Sequence, residues 1–207
     1  ALNGSLLAAR SALQYGVSCH LAGGTHHSHF DFGSGFCVFN DLAFTALTLT
    51  KTKEVKNILI FDCDVHQGDG TARILENNDR TFTCSIHSSK NFPYRKANSD
   101  LDIGLEDNMS WFEYKKHLVE GLNKCIERFS PDLVLYVAGV DIHANDKLGR
   151  LSIDDEGLFE REMTVLNFFK KRDIPIATVM GGGYSDDKYE LACRHSKVVK
   201  AAHQIWA

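Results

Sequence analysis

A short run of metal-seeking residues follows an apolar segment near the first third of the chain. Residues 62–70 read Asp-Cys-Asp-Val-His-Gln-Gly-Asp-Gly and come directly after the apolar residues 58–61. In an extended chain, side chains at alternate positions point to one side, which would group Asp62, Asp64 and His66. Burying two carboxylates without a cation would be very unfavourable. The sequence therefore predicts a divalent metal at the end of this segment.

Segments of strand and helix character alternate along the chain and would position these residues. The predicted strands are 58–61, 82–86, 133–140 and 174–180; the predicted helices are 5–15, 41–50, 71–75, 110–129, 152–171 and 187–206, and 21–40 is a predicted loop. Strands that alternate with helices indicate an α/β fold with a mainly parallel sheet flanked by helices. Such sheets bind ligands beyond the carboxyl ends of their strands.

Each predicted strand ends in residues that could do chemistry. The four ends read Asp-Cys-Asp-Val-His at 62–66, Ser-Ile-His at 85–87, Ala-Gly-Val-Asp at 138–141 and Gly-Gly-Gly-Tyr at 181–184. Core packing alone does not explain four such ends at one edge of a sheet. We therefore expect a functional site along this edge.

Asp141 joins Asp64 and His66 as the strongest candidate metal ligands. Two carboxylates and one imidazole leave an open coordination position, as a catalytic zinc requires. A salt-bridged strand end is the alternative interpretation. It is disfavoured because Asp141 follows an apolar segment with no lysine or arginine close by in the sequence.

Two adjacent histidines lie in the glycine-containing stretch at 23–28. Imidazole titrates near neutral pH, so His26 and His27 are suited to proton transfer. Each would need an orienting partner, and Asp62 and Asp69 are available for this role. Taken alone, such a pair is more often part of a solvated loop; beside the metal motif we interpret it as catalytic.

Three further residues are candidates for contact with a substrate. Tyr184 follows three glycines, which allow close approach of the backbone to a ligand, and its hydroxyl could donate to a carbonyl oxygen as charge develops. A surface tyrosine at a strand-to-helix turn is the alternative. Phe36 and Phe92 are apolar residues in polar loops, where they either line a narrow entrance or belong to the core.

The composition is that of an ordinary globular protein. The 207 residues, 43% of them hydrophobic, fit one domain over residues 1–207 with a substantial core. The net charge of −4 argues against binding to a phosphate backbone. No apolar run approaches the ~18 residues of a membrane span, and no secretion signal is visible. Six scattered cysteines without a C-x-x-C pair predict reduced thiols and a cytoplasmic location, or a nuclear one in a eukaryote.

Five motifs together resemble the zinc-dependent histone deacetylase family, which has the three-layer, arginase-like α/β fold. The motifs are Gly-Gly-Thr-His-His at 23–27, Gly-Phe-Cys at 35–37, the run at 62–70, Ala-Gly-Val-Asp at 138–141 and Gly-Gly-Gly-Tyr at 181–184. They occur in the order of the family and span most of the chain. The segment 146–153 and Gln67 further resemble the class IV branch, which includes enzymes that remove long fatty acyl groups from lysine.

The resemblance implies a role for each candidate residue. Zn²⁺ would be held by Asp64, His66 and Asp141. His27 would be the general base and then the general acid, and His26 would assist it electrostatically. Asp62 would orient His26, Asp69 would orient His27, and Tyr184 would polarise the amide carbonyl.

The resemblance also implies a second cation and a substrate tunnel. A structural K⁺ ion would be bound near the zinc by Asp62, Asp64, His66, Ser85 and Ile86. An acyl-lysine tunnel would be lined by Gly35, Phe36 and Phe92. The implied substrates are acyl-lysine peptides or small acylated amines, with no direct contact to nucleic acid or membrane.

One departure from the family concerns the start of the chain. Family members usually carry a region before the helix that is predicted from Ser5, and this region contributes sheet strands and part of the tunnel rim. The resemblance therefore implies that residues 1–207 form a partial catalytic domain without this N-terminal part. Residues 1–207 are then a fragment, or another chain supplies the missing part, or the protein is a reduced relative of the family. An uncovered sheet edge would favour association, so a homo-oligomer is a further expectation.

Three other interpretations compete with a deacetylase. The manganese ureohydrolases share the fold but need more carboxylates to bridge two metals, and only one Asp-x-Asp accompanies a candidate site histidine here. A truncated deacetylase-like protein could bind acyl-lysine or a partner without turnover. Against this, a pure binding module needs no proton-transfer pair. A plain α/β domain with coincidental motifs is the third possibility.

Overall fold

Six parallel strands form the centre of the molecule in a computed structural model that describes residues 1–207. The strands are β1 (Val17–Cys19), β2 (Ile58–Asp62), β3 (Thr81–Ser88), β4 (Leu101–Leu105), β5 (Leu133–Val137) and β6 (Ile176–Val179). They pair in the order β1-β6-β5-β2-β3-β4, and every pairing is parallel. The predicted α/β fold is confirmed, and the sheet is wholly parallel.

Six helices cover the two faces of the sheet. They are α1 (Leu2–Tyr15), α2 (Asp41–Lys51), α3 (Asp69–Leu75), α4 (Trp111–Arg128), α5 (Asp155–Lys170) and α6 (Lys188–Trp206). Helices α1 to α3 share one buried apolar cluster with the sheet, and α4 to α6 share the other. The result is the expected three-layer sandwich. None of the helices combines the length and apolar character needed to cross a membrane.

The central strand β2 divides its side chains between the two apolar clusters. Leu59 and Phe61 belong to the cluster under α4 to α6, whereas Ile58 and Ile60 belong to the cluster under α1 to α3. This division follows from the alternation of side chains along a strand. A parallel strand covered on both faces is apolar throughout, which explains why β2 could be recognised from the sequence.

Two strands were not predicted, and both lie at the edges of the sheet. Strand β1 has only three residues, all half-buried. Strand β4 alternates half-buried and exposed positions and contains Asp102 and Gly104, which are uncommon in strands. Each pairs with one neighbour only, so neither needs the continuous apolar run that marks a central strand.

The predicted start of helix α5 was wrong by a few residues. The predicted helix begins at Ser152, but the structure caps it at Asp154, whose side chain accepts a hydrogen bond from the backbone N–H of Gly157 at 2.7 Å. Ser152 instead donates its backbone N–H to the carbonyl of Met109. Strand β5 likewise ends at Val137 rather than Val140, and the backbone N–H of Val140 donates to the carbonyl of Gly182, which lies beyond the end of β6.

The capping role of Asp154 predicts a difference between two nearby substitutions. Asp154→Ala should lower the free energy of unfolding by about 1 kcal/mol, because the N–H of Gly157 loses its acceptor at the helix start. Ser152→Ala should change it by a few tenths of a kcal/mol at most. Urea unfolding followed by circular dichroism measures both values. Equal losses for the two variants would contradict the assignment of the cap.

Candidate active site

Two carboxylates and one imidazole converge where β2 and β5 end. Nδ1 of His66 lies 3.1 Å from Oδ1 of Asp64 and 3.0 Å from Oδ2 of Asp141. The candidate ligand atoms all lie within 4.8 Å of one another, and all three residues are buried. From β2 the chain runs to β3 and β4 on one side of the sheet and then crosses to β5 on the other. The cluster thus occupies the switch point at which parallel sheets bind ligands.

The chain reaches this arrangement by turning rather than by remaining extended. Strand β2 ends at Asp62, whose Oδ1 accepts the N–H of Asp64, and Oδ1 of Asp64 accepts the N–H of His66, both at 3.0 Å. Bonds from a carboxylate to the N–H two residues on are typical of Asx turns. The predicted alternation beyond Asp62 was therefore wrong, although the turns still bring Asp64 and His66 together.

The electrostatics of the cluster indicate that a cation belongs there. Burial, and then the charge of Asp64, raise the pKa of Asp141 to about 7. Burial lowers the pKa of His66, but its bonds to Asp141 and Asp64 outweigh this effect and raise the pKa to about 10. A cation at this point would stabilise the carboxylates without a proton. One nitrogen and two oxygen ligands suit a divalent metal such as zinc.

Glycine at position 182 closes one side of the cluster. Its backbone N–H donates to Oδ2 of Asp64. A Cβ atom at this position would come within 2.1 Å of Oδ2 of Asp141 and 2.8 Å of Oδ2 of Asp64. A side chain at Gly182 would therefore displace a carboxylate of the candidate metal cluster. This explains the need for glycine in the loop that precedes Tyr184.

The two adjacent histidines each contact a different aspartate. Nδ1 of His26 lies 2.6 Å from Oδ2 of Asp62, and Nδ1 of His27 lies 2.7 Å from Oδ1 of Asp69. Because a carboxylate only accepts, each Nδ1 carries the hydrogen and each Nε2 is left facing the site. A third histidine, His29, also bonds to Asp69 at 3.2 Å and was not among the candidates from the sequence.

These environments shift the two imidazoles in opposite directions. Burial lowers the pKa of His26, but the charges of Asp62 and Asp64 prevail and raise it to about 9. The pKa of His27 is lowered, first by burial and then by the positive charge of His26. Near neutral pH His26 is therefore cationic, whereas His27 is neutral and able to accept a proton. Such divergence is typical of groups with distinct acid and base roles.

Asp41, which the sequence reasoning missed, holds the loop that precedes the histidines. Its carboxylate accepts the backbone N–H of Gly24 at 3.1 Å and that of Thr25 at 2.8 Å, and it also accepts the Ser5 hydroxyl. Asp41 is fully buried at the first residue of α2. Consecutive Asn40 and Asp41 before an apolar helix predict a helix start, but nothing in the sequence shows that the second of them bonds to residues 24 and 25.

Tyr184 lies at the rim of the same site. Its ring centroid is 6.1 Å from that of His66 and 6.2 Å from that of Phe36. Its backbone N–H donates to Oδ2 of Asp146 at 2.7 Å, and its carbonyl accepts the N–H of Lys147. Burial and the nearby aspartates raise the pKa of the Tyr184 hydroxyl, which therefore stays protonated and can donate.

Aromatic residues surround the approach to the histidines. The ring of Phe92 stands edge-on to His27, with 4.9 Å between centroids. A Cβ atom at Gly35 would come 2.3 Å from the ring of His27, so this glycine packs directly on the imidazole. Phe36 is 87% exposed and Phe92 is 45% exposed, so neither belongs to the core.

The five residues predicted to bind potassium lie at the end of β2, in the second half of β3 or directly after β2. All five are buried: Asp62, Asp64, His66, Ser85 and Ile86. Ser85 pairs with Asp62 across strands β2 and β3, and its hydroxyl lies 3.0 Å from Nδ1 of His87. A potassium site remains a prediction.

The whole of this site falls within a recognisable domain. Residues 1–199 match the profile of the histone deacetylase domain. The chain belongs to the histone deacetylase family. It is 43% identical over 206 residues to an uncharacterized protein of Picosynechococcus sp., a match that covers 100% of this chain and 69% of that protein.

Other relatives support the family and show how much of each protein is matched. Histone deacetylase 2 of Arabidopsis thaliana is 31% identical, over 88% of this chain and 48% of that protein. The acetoin utilization protein AcuC of Staphylococcus aureus is 36% identical, over 69% and 39% respectively. The chain thus spans about half or less of these two relatives. The predicted class IV assignment remains a prediction.

A solved structure supports the fold. The acetylpolyamine aminohydrolase from Burkholderia pseudomallei superimposes with a TM-score of 0.81 at 19% identity, covering 99% of this chain and 61% of that one. The predicted arginase/deacetylase-like architecture is confirmed. At this identity the similarity is one of fold.

The cluster predicts metal binding that depends on its three members. Purified protein incubated with zinc and dialysed should retain about one metal ion per chain, measured by atomic emission, because the site offers one buried set of three ligands. Asp141→Asn and His66→Ala should each abolish retention, since each removes a ligand. Asp69→Asn, which changes a carboxylate outside the cluster, should retain it. Retention by Asp141→Asn would exclude this cluster as the metal site.

Proposed function

We propose that this chain is a zinc-dependent deacylase that hydrolyses the amide of an acylated lysine side chain or of a small acylated amine. The observation that carries the proposal is the juxtaposition of two features. A buried Asp-His-Asp cluster lies beside two histidines whose pKa values are shifted in opposite directions. A metal cluster alone would fit a structural role, but the neighbouring proton-transfer pair supports hydrolysis.

The metal would be held by Asp64, His66 and Asp141. When bound, zinc supplies Lewis acidity, which lowers the pKa of a water molecule to about 7 and polarises a carbonyl. The chain supplies the proton acceptor: Nε2 of neutral His27 takes a proton from the water as its oxygen attacks the amide carbon. The Tyr184 hydroxyl donates a hydrogen bond to the carbonyl oxygen as negative charge develops there.

The same histidine then completes the reaction. His27, now protonated, gives its proton to the amine nitrogen as the carbon–nitrogen bond breaks, so that a carboxylic acid and a free amine leave. His26, whose Nδ1 bonds to Asp62, assists by stabilising the negative charge that develops on the attacked carbonyl group. Asp69 keeps Nδ1 of His27 protonated, which leaves Nε2 free to accept and return the proton.

The surroundings of the site support an aliphatic substrate arm. Phe36 and Phe92 present exposed aromatic surface beside Tyr184 and His27, which suits a methylene chain that leads to an amide. Relatives whose names include histone deacetylase and acetylpolyamine aminohydrolase agree with acylated amines as the substrate class. Acetyl-lysine, longer acyl-lysine and acetylated polyamines are the substrates to compare.

Turnover on a panel of substrates tests the proposal. The zinc-loaded chain is incubated with lysine peptides that carry acetyl, octanoyl or myristoyl groups and with acetylated polyamines, with and without a hydroxamate inhibitor. Hydroxamate-sensitive release of the acid supports a deacylase, and a preference for the longer chains supports the class IV assignment. Bound zinc without turnover on any substrate would contradict catalysis and favour a non-catalytic, acyl-amine-binding protein.

Tyr184→Phe tests the proposed role of the hydroxyl. We expect kcat to fall by ~10²–10³-fold, because a bond that strengthens in the transition state is lost. Zinc retention and thermal stability should stay at the wild-type level. Tyr189→Phe is the matched control, since Tyr189 is 80% exposed on α6. Turnover near the wild-type level in Tyr184→Phe would remove this residue from the mechanism.

The lowered pKa of His27 predicts the acidic limb of the activity profile. Since His27 must be neutral to accept a proton, kcat/KM should fall only below about pH 6.5, the ordinary histidine value. Bonding and charge from Asp69 raise the pKa of His27, so Asp69→Asn should move this limb to lower pH and reduce the plateau about 10²-fold. Asp79→Asn, a substitution of an exposed aspartate, should change neither. A limb that moves to higher pH in Asp69→Asn would contradict the assignment.

A further inference from the structure

A buried arginine links the two segments that carry the metal-binding cluster. Arg161 lies on α5 with its side chain wholly buried. Its Nη1 donates to the carbonyl of Gly139 at 2.6 Å and to the carbonyl of Cys63 at 3.2 Å. Cys63 immediately precedes Asp64, and Gly139 lies two residues before Asp141. One guanidinium nitrogen thus spans the chain segments that follow β2 and β5.

The first of these contacts fixes a peptide group that the rest of the site also uses. The carbonyl of Cys63 and the N–H of Asp64 belong to the same peptide group. Arg161 holds the carbonyl, while the N–H donates to Oδ1 of Asp62 at 3.0 Å. Because a peptide is planar, holding both ends sets its orientation and hence the direction in which the Asp64 side chain leaves the backbone.

The second contact fixes the corresponding peptide group after β5. Arg161 holds the carbonyl of Gly139, and the N–H of Val140 in the same peptide group donates to the carbonyl of Gly182 at 2.7 Å. A Cβ atom at Gly139 would come 2.4 Å from Oδ2 of Asp64. The two ligand segments are therefore in close contact, and a small shift of either would move a metal-binding carboxylate.

The guanidinium of Arg161 also bonds to a buried carboxylate, that of Glu162. Nε donates to Oε1 of Glu162 at 3.1 Å, Nη2 donates to the same oxygen, and the hydroxyl of Tyr136 donates to Oε2 at 2.7 Å. Tyr136 lies on β5, so the chain of bonds returns to the strand that carries the second ligand segment. The carboxylate balances the charge of the arginine, which leaves the two bonds of Nη1 as its link to the site.

We propose that Arg161 is a positioning residue for the metal site: by bonding to the carbonyls of Cys63 and Gly139 it sets the separation of the β2 and β5 ligand segments. The affinity and coordination geometry of a divalent metal then depend on a side chain that does not touch the metal. This inference rests on the metal site of the proposed function and is independent of the substrate.

Cobalt binding tests the proposal without any need for activity. Apo protein is titrated with Co²⁺, and the visible absorption of the bound ion reports both the Kd and the coordination geometry. The variants are Arg161→Lys, Arg161→Met and the double variant Arg161→Met/Glu162→Leu, which leaves no unpaired buried charge. Arg194→Met is the matched control, because Arg194 is also buried but bonds only to Glu190 on its own helix.

We expect Arg161→Met and the double variant to raise the Kd about 10- to 100-fold and to alter the cobalt spectrum, as is typical when a partner of the ligand shell is removed. Arg161→Lys, which retains the charge but has no fork to span two carbonyls and a carboxylate, should raise it several-fold. Arg194→Met should leave the Kd for cobalt and the cobalt spectrum unchanged, even if it lowers thermal stability as much as the Arg161 variants do.

Two results would overturn the proposal. The first is a double variant that binds cobalt with the wild-type Kd and spectrum. If neither the double variant nor Arg161→Met folds, the same result in Arg161→Lys would overturn the proposal. The other is an equal rise in Kd for Arg194→Met, which would show that any loss of stability weakens the site. Wild-type protein that binds cobalt but hydrolyses no substrate would contradict the proposed function and leave this measurement intact.

Discussion

The concentration of buried negative charge at the switch point of the sheet is the constraint on which the rest of the structure depends. Asp62, Asp64 and Asp141 are at most 3% exposed and follow or end two adjacent strands. Isolated carboxylates in such a place would cost several kcal/mol each. The fold accommodates them because each of their six oxygen atoms lies within hydrogen-bonding distance of a backbone N–H or an imidazole nitrogen.

Two kinds of donor share this task. Backbone N–H groups of Asp64, Val65, His66 and Gly182 donate to the three carboxylates. The imidazoles of His26 and His66 supply ring nitrogens. A metal ion bound by Asp64, His66 and Asp141 would add positive charge to these donors. Turns, glycines and histidines at these strand ends are therefore consequences of one electrostatic requirement.

The same requirement explains why much of the site could be predicted from the sequence. Carboxylates and imidazoles directly after apolar strands have few structural roles, so the pattern identified Asp64, His66 and Asp141 as a group, and the structure brings them together. Local spacing could not show the path of the chain. The Asx turns after β2 depend on which backbone N–H each carboxylate accepts, and that choice is made by the strands and loops packed around it.

Edge strands and long-range partners were harder to predict, for a different reason. Strands β1 and β4 are short or polar because each has one neighbour only, and the pattern of a central strand is absent from them. Asp41 bonds to residues 24 and 25, and this contact could not be predicted because the partners are far apart in the sequence. Whether a residue such as Asp41 contributes to a site depends on how the loops are arranged in three dimensions.

Arg161 and Glu162 did leave a signal in the sequence. They lie three and four residues after Leu158 and precede Val165 and Leu166 by four, so both fall on the apolar face of α5. Charged residues on the buried face of a helix predict either a mistaken helix or an internal ion pair. Because α5 is regular and capped, an internal ion pair is the better explanation, and the structure shows it; its contact with the segments after β2 and β5 cannot be inferred from the sequence.

The metal cluster and the histidine pair are not independent parts. Asp62 connects them, because its Oδ2 bonds to His26 while its Oδ1 accepts the N–H of Asp64. The peptide that carries this N–H also presents the carbonyl held by Arg161. A displacement of that one peptide would move Asp64, a candidate metal ligand, and through Asp62 it would change the charge environment of His26. Because the positive charge of His26 contributes to the lowered pKa of His27, the two histidines and the Asp-His-Asp cluster form one electrostatic unit.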